Sequence, residues 1–457
     1  MSTKDDANSD SNIIQEHSRR DFLRRTTAAV AGASAGLMAS GNFAYAGGTD
    51  TLRIGIVGCG GRGSGAASNC VNSAEGVELW AMGDLFEDRL EQSQKALKKA
   101  IGDHYKVEDR GFVGFDAFQK VLDTEIDLVL LAAPPGFRPH HLSDAIDAGK
   151  HVFAEKPVAV DPAGVHMVRD AADRAEEKGL AIVAGTQRRH HPGYEEVMQR
   201  LHDGAIGDVR SGHVWYNAAG FRDARERKPG MSDMEWQVRN WYYFNWLSGD
   251  HITEQAVHRI DLMNWAFQNH PVAATGLGGR QARVNPSYGY IFDHFSVEYQ
   301  FPNGEHVTHM CSQIEGSTRR VGEHFTGTKG HADTSDRSIT IDADTSDRSI
   351  TIDGSYEWSF DEDVTNPYVQ EHTDLIASIR AGEPLNEGRR IADSVLTGIM
   401  GREAAYTGRK VTWDEIDDPE LDLAPKAESF HELPQPPVPT PGVTKLDRTV
   451  WGDDSKS

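Results

Sequence analysis

Residues 52–65 read LRIGIVGCGGRGSG, and the fold follows from them. An apolar run, Leu52 to Val57, ends in Gly58-Cys59-Gly60-Gly61-Arg62-Gly63, and small residues follow. This is G-x-G-x-x-G in the context it needs, a strand before and a helix after. Gly58 permits a tight turn, Gly60 lets the backbone approach a pyrophosphate, and Gly63 lets helix and strand pack closely. Gly61 and Arg62 fill the two positions between. The start of the helix offers free N–H groups and the positive end of its dipole to phosphates. The next apolar run, VELWAM, ends at Gly83-Asp84, near the offset of about 20 residues expected for the carboxylate that holds the adenosine ribose. Asp84 would repel a 2′-phosphate, so the stretch reads as a site for NAD in preference to NADP.

Working outward, the pattern from 52 to about 187 alternates strand and helix, as in a doubly wound parallel sheet. Its strands read LRIGIVG, VELWAM, a short segment near GFVGF, IDLVLLAA, HVFAEK and AIVAGT. The continuous apolar run 126–133 fits a strand covered on both faces. A helix is expected at 161–178, with Asp161 as cap and Pro162 in its first turn. Ala133-Pro134-Pro135-Gly136 ends the fourth strand where the nicotinamide half of a dinucleotide should lie, which makes Pro134 a cofactor contact.

Past residue 190 the pattern changes to α+β with an antiparallel sheet. A helix (194–202) and a strand (209–216) precede a polar and aromatic excursion, 217–247. A helix is expected at 253–267, then strands at 292–301 and 306–313 about Asn303-Gly304, a hairpin signal. Helical patterns return at 368–381 and 389–407, and the Pro-rich tail 418–457 reads as extended. The segment ADTSDRSITID stands twice in tandem, at 332–342 and 343–353, and reads as an added hairpin. It lacks the glycine that an EF-hand calcium loop needs at its sixth position.

With 457 residues the chain has room for two full cores. We read residues 50–190 as a dinucleotide domain and 191–417 as a second, substrate-binding domain. The net charge of −23 argues against nucleic acid or an anionic membrane as partner. Past the amino terminus no stretch is long and apolar enough to span a bilayer. Residues 1–46 read as a signal peptide: Ser18-Arg19-Arg20-Asp21-Phe22-Leu23 is a twin-arginine pattern, an Ala/Gly-rich run follows, and Ala44-Tyr45-Ala46 is a cleavage site. This places the mature protein in the periplasm or outside the cell. Cys59, Cys70 and Cys311 are too few for a disulfide framework and read as reduced and structural.

Three features bear chemistry. Glu155-Lys156-Pro157 closes the fifth strand, on the edge where ligands bind in open α/β sheets, though position alone fits a surface lysine equally. Glu254 and His258 lie four apart, so on one helix a carboxylate would orient an imidazole acting as base; such a pair alone is more often a surface contact. Gln187, Arg188 and Arg189 end the sixth strand as polar groups for a many-hydroxyl ligand. Trp241 and Tyr242, in WYYFNW, would stack on a sugar or, more commonly, pack in a core. The histidines do not suggest a metal: His306 and His309 face opposite sides of a strand, and no cysteine ligand accompanies them.

Taken in order, GIVGCGGRG, GD, AEKP, GTQRRHHPGY, GDHITEQAVHRIDLMNWAF and GREAAYTGRKVTW resemble the glucose–fructose oxidoreductase/inositol dehydrogenase (Gfo/Idh/MocA) family over residues 52–415, and its exported bacterial members most. The resemblance implies a Rossmann domain, a second domain whose open antiparallel sheet makes a homo-oligomer, and a catalytic lysine matching Lys156, with its Lys-Pro bond often cis. It also implies a catalytic histidine matching His258, in a motif whose usual aspartate is Glu254 here. The implied activity is hydride exchange between a secondary hydroxyl of a sugar or cyclitol and NAD. The alternatives are glycoside cleavage by transient oxidation, elimination and re-reduction on a retained cofactor, and a non-catalytic NAD-binding sensor, against which Lys156 and His258 argue.

Overall fold

The computed structural model describes residues 51–446 except 222, 336–338, 345–354, 424 and 426–428. The twin-arginine segment and most of the second repeat copy lie outside the described residues.

The first sheet is built from β1 (Leu52–Val57), β2 (Val77–Asp84), β3 (Gly111–Val113), β4 (Leu128–Leu131), β5 (His151–Ala154) and β6 (Ile182–Ala184). Their order is β3-β2-β1-β4-β5-β6, with every pair parallel. Strand order reverses between β1 and β4, which opens a crevice beyond their carboxyl ends. Alternate residues of β4 go to opposite cores: Val129 and Leu131 to one, Leu128 and Leu130 to the other. A strand buried on both faces therefore needs the unbroken apolar run seen in the sequence. The helix Pro162–Lys178 starts as expected, with the Asp161 carboxylate accepting from Gly164 N–H at 2.8 Å and Gly179 ending it in the left-handed region.

The second sheet has nine strands, β7 (Val209–Ala218), β8 (Ala273–Gly279), β9 (His294–Gln300), β10 (His306–Gln313), β11 (Arg320–Gly327), β12 (Gly330–Ser335), β13 (Ile339–Asp344), β14 (Ser355–Ser359) and β15 (Val411–Thr412). Their order is β14-β13-β12-β11-β7-β10-β9-β8-β15. The β9–β10 hairpin turns at Gly304, whose φ is +87°. The sheet is antiparallel but for its central pair, β7 and β10, which run parallel because the long excursion after β7 lays β8 and β9 beyond β10.

Two expectations change. The first repeat copy holds both arms of a hairpin, since its ADTS lies in β12 and its ITID in β13; β13 then pairs with β14, beyond the second copy. The chain also returns to the first sheet late. The helix Pro367–Ala381 packs Leu375, Ile376 and Ile379 into a core of that sheet, and Leu385 O accepts from Ile182 N–H at the β6 edge. The helix Gly388–Thr407 runs on between the second sheet and the helix Pro162–Lys178. Among the described residues no helix is long and apolar enough to cross a membrane.

Candidate active site

The glycines of the first turn serve different ends. Gly58 has φ +96°, and a Cβ on it would run into the backbone of Ala132 and Ala133 at the end of β4. A Cβ on Gly63 would strike the carbonyl oxygen of Gly58. At Gly60 and Gly61 an added Cβ meets no protein atom within 4 Å, so packing within the chain does not demand glycine there. A phosphate that must approach the backbone does demand it at Gly60. Gly60 caps the helix Gly61–Ser73 without a side-chain partner, leaving that end to a ligand. Asp84 closes β2 beside the turn: Oδ2 accepts from Cys59 N–H at 2.6 Å and Oδ1 from Phe86 N–H at 2.9 Å. Burial raises its carboxyl above the ordinary value, partly offset by those two N–H groups. The turn, the helix end and the carboxylate fit a dinucleotide.

Pro134 leads into the short turn Pro135–Phe137 after β4. Behind it Arg138, fully buried, donates to the carbonyls of Ala133 and Pro157, tying the β4 end to the one after β5. Burial brings its guanidinium down to about 10, and the nearby Glu155 and Glu254 work the other way.

The Lys156-Pro157 bond is cis, as the resemblance implied. Lys156 Nζ donates to Glu254 Oε1 at 3.1 Å and to the Glu254 carbonyl; the two side chains are 11% and 8% exposed. Gln255 Nε2 donates to the other Glu254 oxygen, and Tyr216 Oη donates to Gln255 Oε1 at 2.8 Å. The row Tyr216–Gln255–Glu254–Lys156 replaces the expected arrangement. Instead of one helix over 253–267, there are two, Asp250–Glu254 and Val257–Phe267, broken at Gln255 and Ala256. The break takes Glu254 out of helical register with His258, and among the described residues no hydrogen bond joins the two. His258 is half-buried and its pKa lies well below the ordinary value: burial comes first, then the charges of Lys156, Arg188, Arg259 and Arg62. Its imidazole is neutral near pH 7 and able to accept a proton.

The remaining predicted residues divide. Gln187 is buried, its Nε2 donating to Tyr368 Oη at 3.0 Å. The charge of Arg188 reaches His258 and Tyr368, which places it beside the site. Arg189 does not face a ligand: it is buried against Asp261 at 2.8 Å, stacked 4.1 Å over Trp265. Asp261 is held below its ordinary value against the pull of burial by Arg189 and Arg390, so the pair cements structure. Tyr242 is fully buried, edge-on to Tyr243 and Trp241 at 5.1 and 5.9 Å, so its ring packs in the core, while Trp241 beside it is half-buried. Arg62 bonds Glu155 and, at 3.2 Å, Glu371, with its guanidinium 4.8 Å from the Tyr368 ring. That ties a glycine-turn residue to the strand-5 motif.

Arg138, Tyr216, Gln255, Tyr368 and Glu371 were missed in the sequence. Tyr368 and Glu371 come from a helix about 180 to 310 residues past the residues they contact, Gln187 and Arg62, and no local pattern marks them.

A two-domain fold with a dinucleotide turn and a lysine–carboxylate–histidine group defines the class, a nucleotide-dependent oxidoreductase. Two family models match: "Oxidoreductase family, NAD-binding Rossmann fold" over residues 52–186 and "GFO/IDH/MocA C-terminal domain" over 194–333. The chain belongs to the Gfo/Idh/MocA oxidoreductase family, and its cofactor is NAD. Among curated relatives, an uncharacterized oxidoreductase of Streptococcus pneumoniae is 24% identical, over 68% of this chain and 76% of its own. The glycosyl hydrolase family 109 protein of Streptomyces coelicolor is 27% identical (60% and 56%), and inositol 2-dehydrogenase of Salmonella typhimurium 28% (47% and 54%). The chain thus spans little more than half the length of these last two. Of solved structures, levoglucosan dehydrogenase in complex with NADH and levoglucosan shares the fold at TM-score 0.62, 15% identity, 79% of this chain and 99% of the other. The aldose-aldose oxidoreductase of Caulobacter crescentus does so at 0.59 and 18%, with the same coverage.

Proposed function

We propose that the protein oxidises or reduces a secondary hydroxyl of a sugar or cyclitol. The observation that carries this reading is a neutral His258 within reach of the charge of a Lys156 ammonium anchored on Glu254. Gly58, Gly60, Gly61, Arg62, Gly63, Asp84, Pro134, Glu155 and Lys156 would hold NAD, whose nicotinamide exchanges the hydride when bound. In the oxidative direction His258 takes the hydroxyl proton, and Lys156 stabilises the oxygen as it becomes alkoxide. Glu254 holds the Lys156 side chain in place, and the cationic surroundings of His258 return its proton readily. Named relatives act on inositol and on levoglucosan, which supports a polyhydroxylated ring as substrate.

A second reading is redox-neutral glycoside cleavage, favoured by the glycosyl hydrolase relative and by the twin-arginine pattern. An exported enzyme loads its cofactor before leaving the cytoplasm and keeps it, so a cycle that restores NAD suits the periplasm. A panel of polyols and glycosides, read by product analysis and by NADH absorbance, separates the two. Net NADH supports dehydrogenation, sugar release without it supports cleavage, and turnover of neither overturns both. The molecule also pairs with a second copy through the open face of its second sheet, where Leu277 and Met310 stand exposed on either side of Ser296.

A further inference from the structure

The tail has neither helix nor strand among its described residues, yet part of it is built into the molecule against Phe86, two residues past Asp84. Leu433 is buried; its N–H donates to Asp233 Oδ2 at 3.1 Å and its carbonyl accepts from Gln237 Nε2. His431 O accepts from Met234 N–H at 3.1 Å. These bonds seat the tail on the helix Asp233–Arg239 of the excursion and aim Phe430 at the first domain. Its ring lies 5.7 Å from Phe86, nearly parallel at 12°, and 5.0 Å from Phe115, edge-on. From the same helix Arg239 sets its guanidinium 3.8 Å from the Phe86 ring and bonds Asp88 at 3.1 Å. Phe86 is the residue whose N–H holds Asp84 Oδ1.

We propose that Phe430 is a cofactor-positioning residue. With Arg239 it pins Phe86, and through the Phe86 N–H it fixes the carboxylate that receives the adenosine ribose, so the tail sets affinity for NAD and discrimination against NADP. Two elements from distant parts of the chain converge on one ring of the nucleotide loop, although neither carries a dinucleotide motif. The inference rests on NAD as cofactor and is independent of the substrate.

The test is titration of full-length Phe430→Ala, Phe430→Leu and Phe430→Tyr proteins with NAD and with NADP, followed by calorimetry. An aromatic pair contributes about 0.5–1.5 kcal/mol, so Phe430→Ala should weaken NAD roughly two- to tenfold. NADP should weaken less, so the ratio between the two narrows; Phe430→Tyr should restore it, and Val443→Ala, at a tail position 75% exposed, should leave it unchanged. A folded Phe430→Ala with an unaltered ratio would overturn the proposal, since a merely structural strap changes stability and not nucleotide choice. If that variant does not fold, Phe430→Leu, which keeps the apolar contact and loses the ring, is read in the same way. Wild-type protein binding neither nucleotide would overturn the cofactor reading and the tail's role with it.

Discussion

In the proposed reaction, Lys156 and His258 divide the proton chemistry by charge. The ammonium is anchored on Glu254, while the imidazole is kept neutral by burial and by four nearby cations. Replacing either by alanine should lower kcat/KM on a confirmed substrate by roughly 10²–10⁴-fold, the usual weight of general acid–base catalysis, with NAD affinity little changed for His258→Ala. Unchanged turnover would remove the assignment. Because the His258 pKa is depressed, protonation inactivates it only at pH well below 6.5, the ordinary value. Oxidation should therefore be flat in pH from about 6.5 to 8, with its acid limb lower; a limb centred near 6.5 would mean a solvated imidazole. Glu254→Gln should cost kcat more than substrate KM, because it removes the carboxylate charge beside Lys156, leaves the bond to the residue 254 carbonyl in place and does not empty the site.

At the scale of elements, the glycine turn offers a separation of roles. Gly63→Ala forces a Cβ onto the Gly58 carbonyl, so the helix Gly61–Ser73 cannot seat against β1 and thermal stability should fall. Overpacking of this kind costs about 1–3 kcal/mol. Gly60→Ala meets no protein atom, so its melting temperature should match wild type while NAD affinity drops on the order of tenfold. Equal losses of stability in both variants would contradict this division. The break between Asp250–Glu254 and Val257–Phe267 belongs to the same scale. It turns the Glu254 carboxylate toward Lys156, a contact that helical spacing alone does not reveal.

Across the whole molecule, several buried histidines make stability depend on pH. Burial lowers His141, His309 and His372 to about 3, each from an ordinary 6.5. The unfolded chain protonates them below 6.5 and the folded chain does not, so their stabilisation is full above that pH and is lost as pH falls toward 3. Between those limits each should take up a proton on unfolding, a slope of about 1.4 kcal/mol per pH unit per histidine. His190 runs the other way: against burial, Asp374 at 2.8 Å and Glu387 raise it to about 10, so its contribution is full below 6.5 and is lost as pH rises through 10. Melting temperature followed from pH 7 to 4 should fall steeply, and a flat curve would refute the burial of neutral imidazoles. For the proposed assembly, Met310→Lys should reduce the mass measured by light scattering without unfolding the protein; an unchanged mass would place the interface elsewhere.

How much was legible follows from where each signal resides. The parallel sheet could be read because its strands are buried on both faces and its glycines answer to local geometry. Asp84, Lys156 and His258 stood out because each belongs to a short motif tied to a strand end or helix turn. Arg189 and Tyr242 were misplaced because a polar or aromatic side chain in sequence looks the same facing a ligand or facing the core. Their partners, Asp261 for one and a set of aromatic rings for the other, lie elsewhere in the chain or are shared among neighbours. Local spacing by itself determined the dinucleotide turn, the parallel character of the first sheet and which residues are the candidates for chemistry. Only the tertiary structure decided that Glu254 serves Lys156, that Glu371 and Tyr368 close on Arg62, and that the tail reaches Phe86. Those contacts join residues about 100 to 340 positions apart, and folding alone brings such groups within hydrogen-bonding or stacking range.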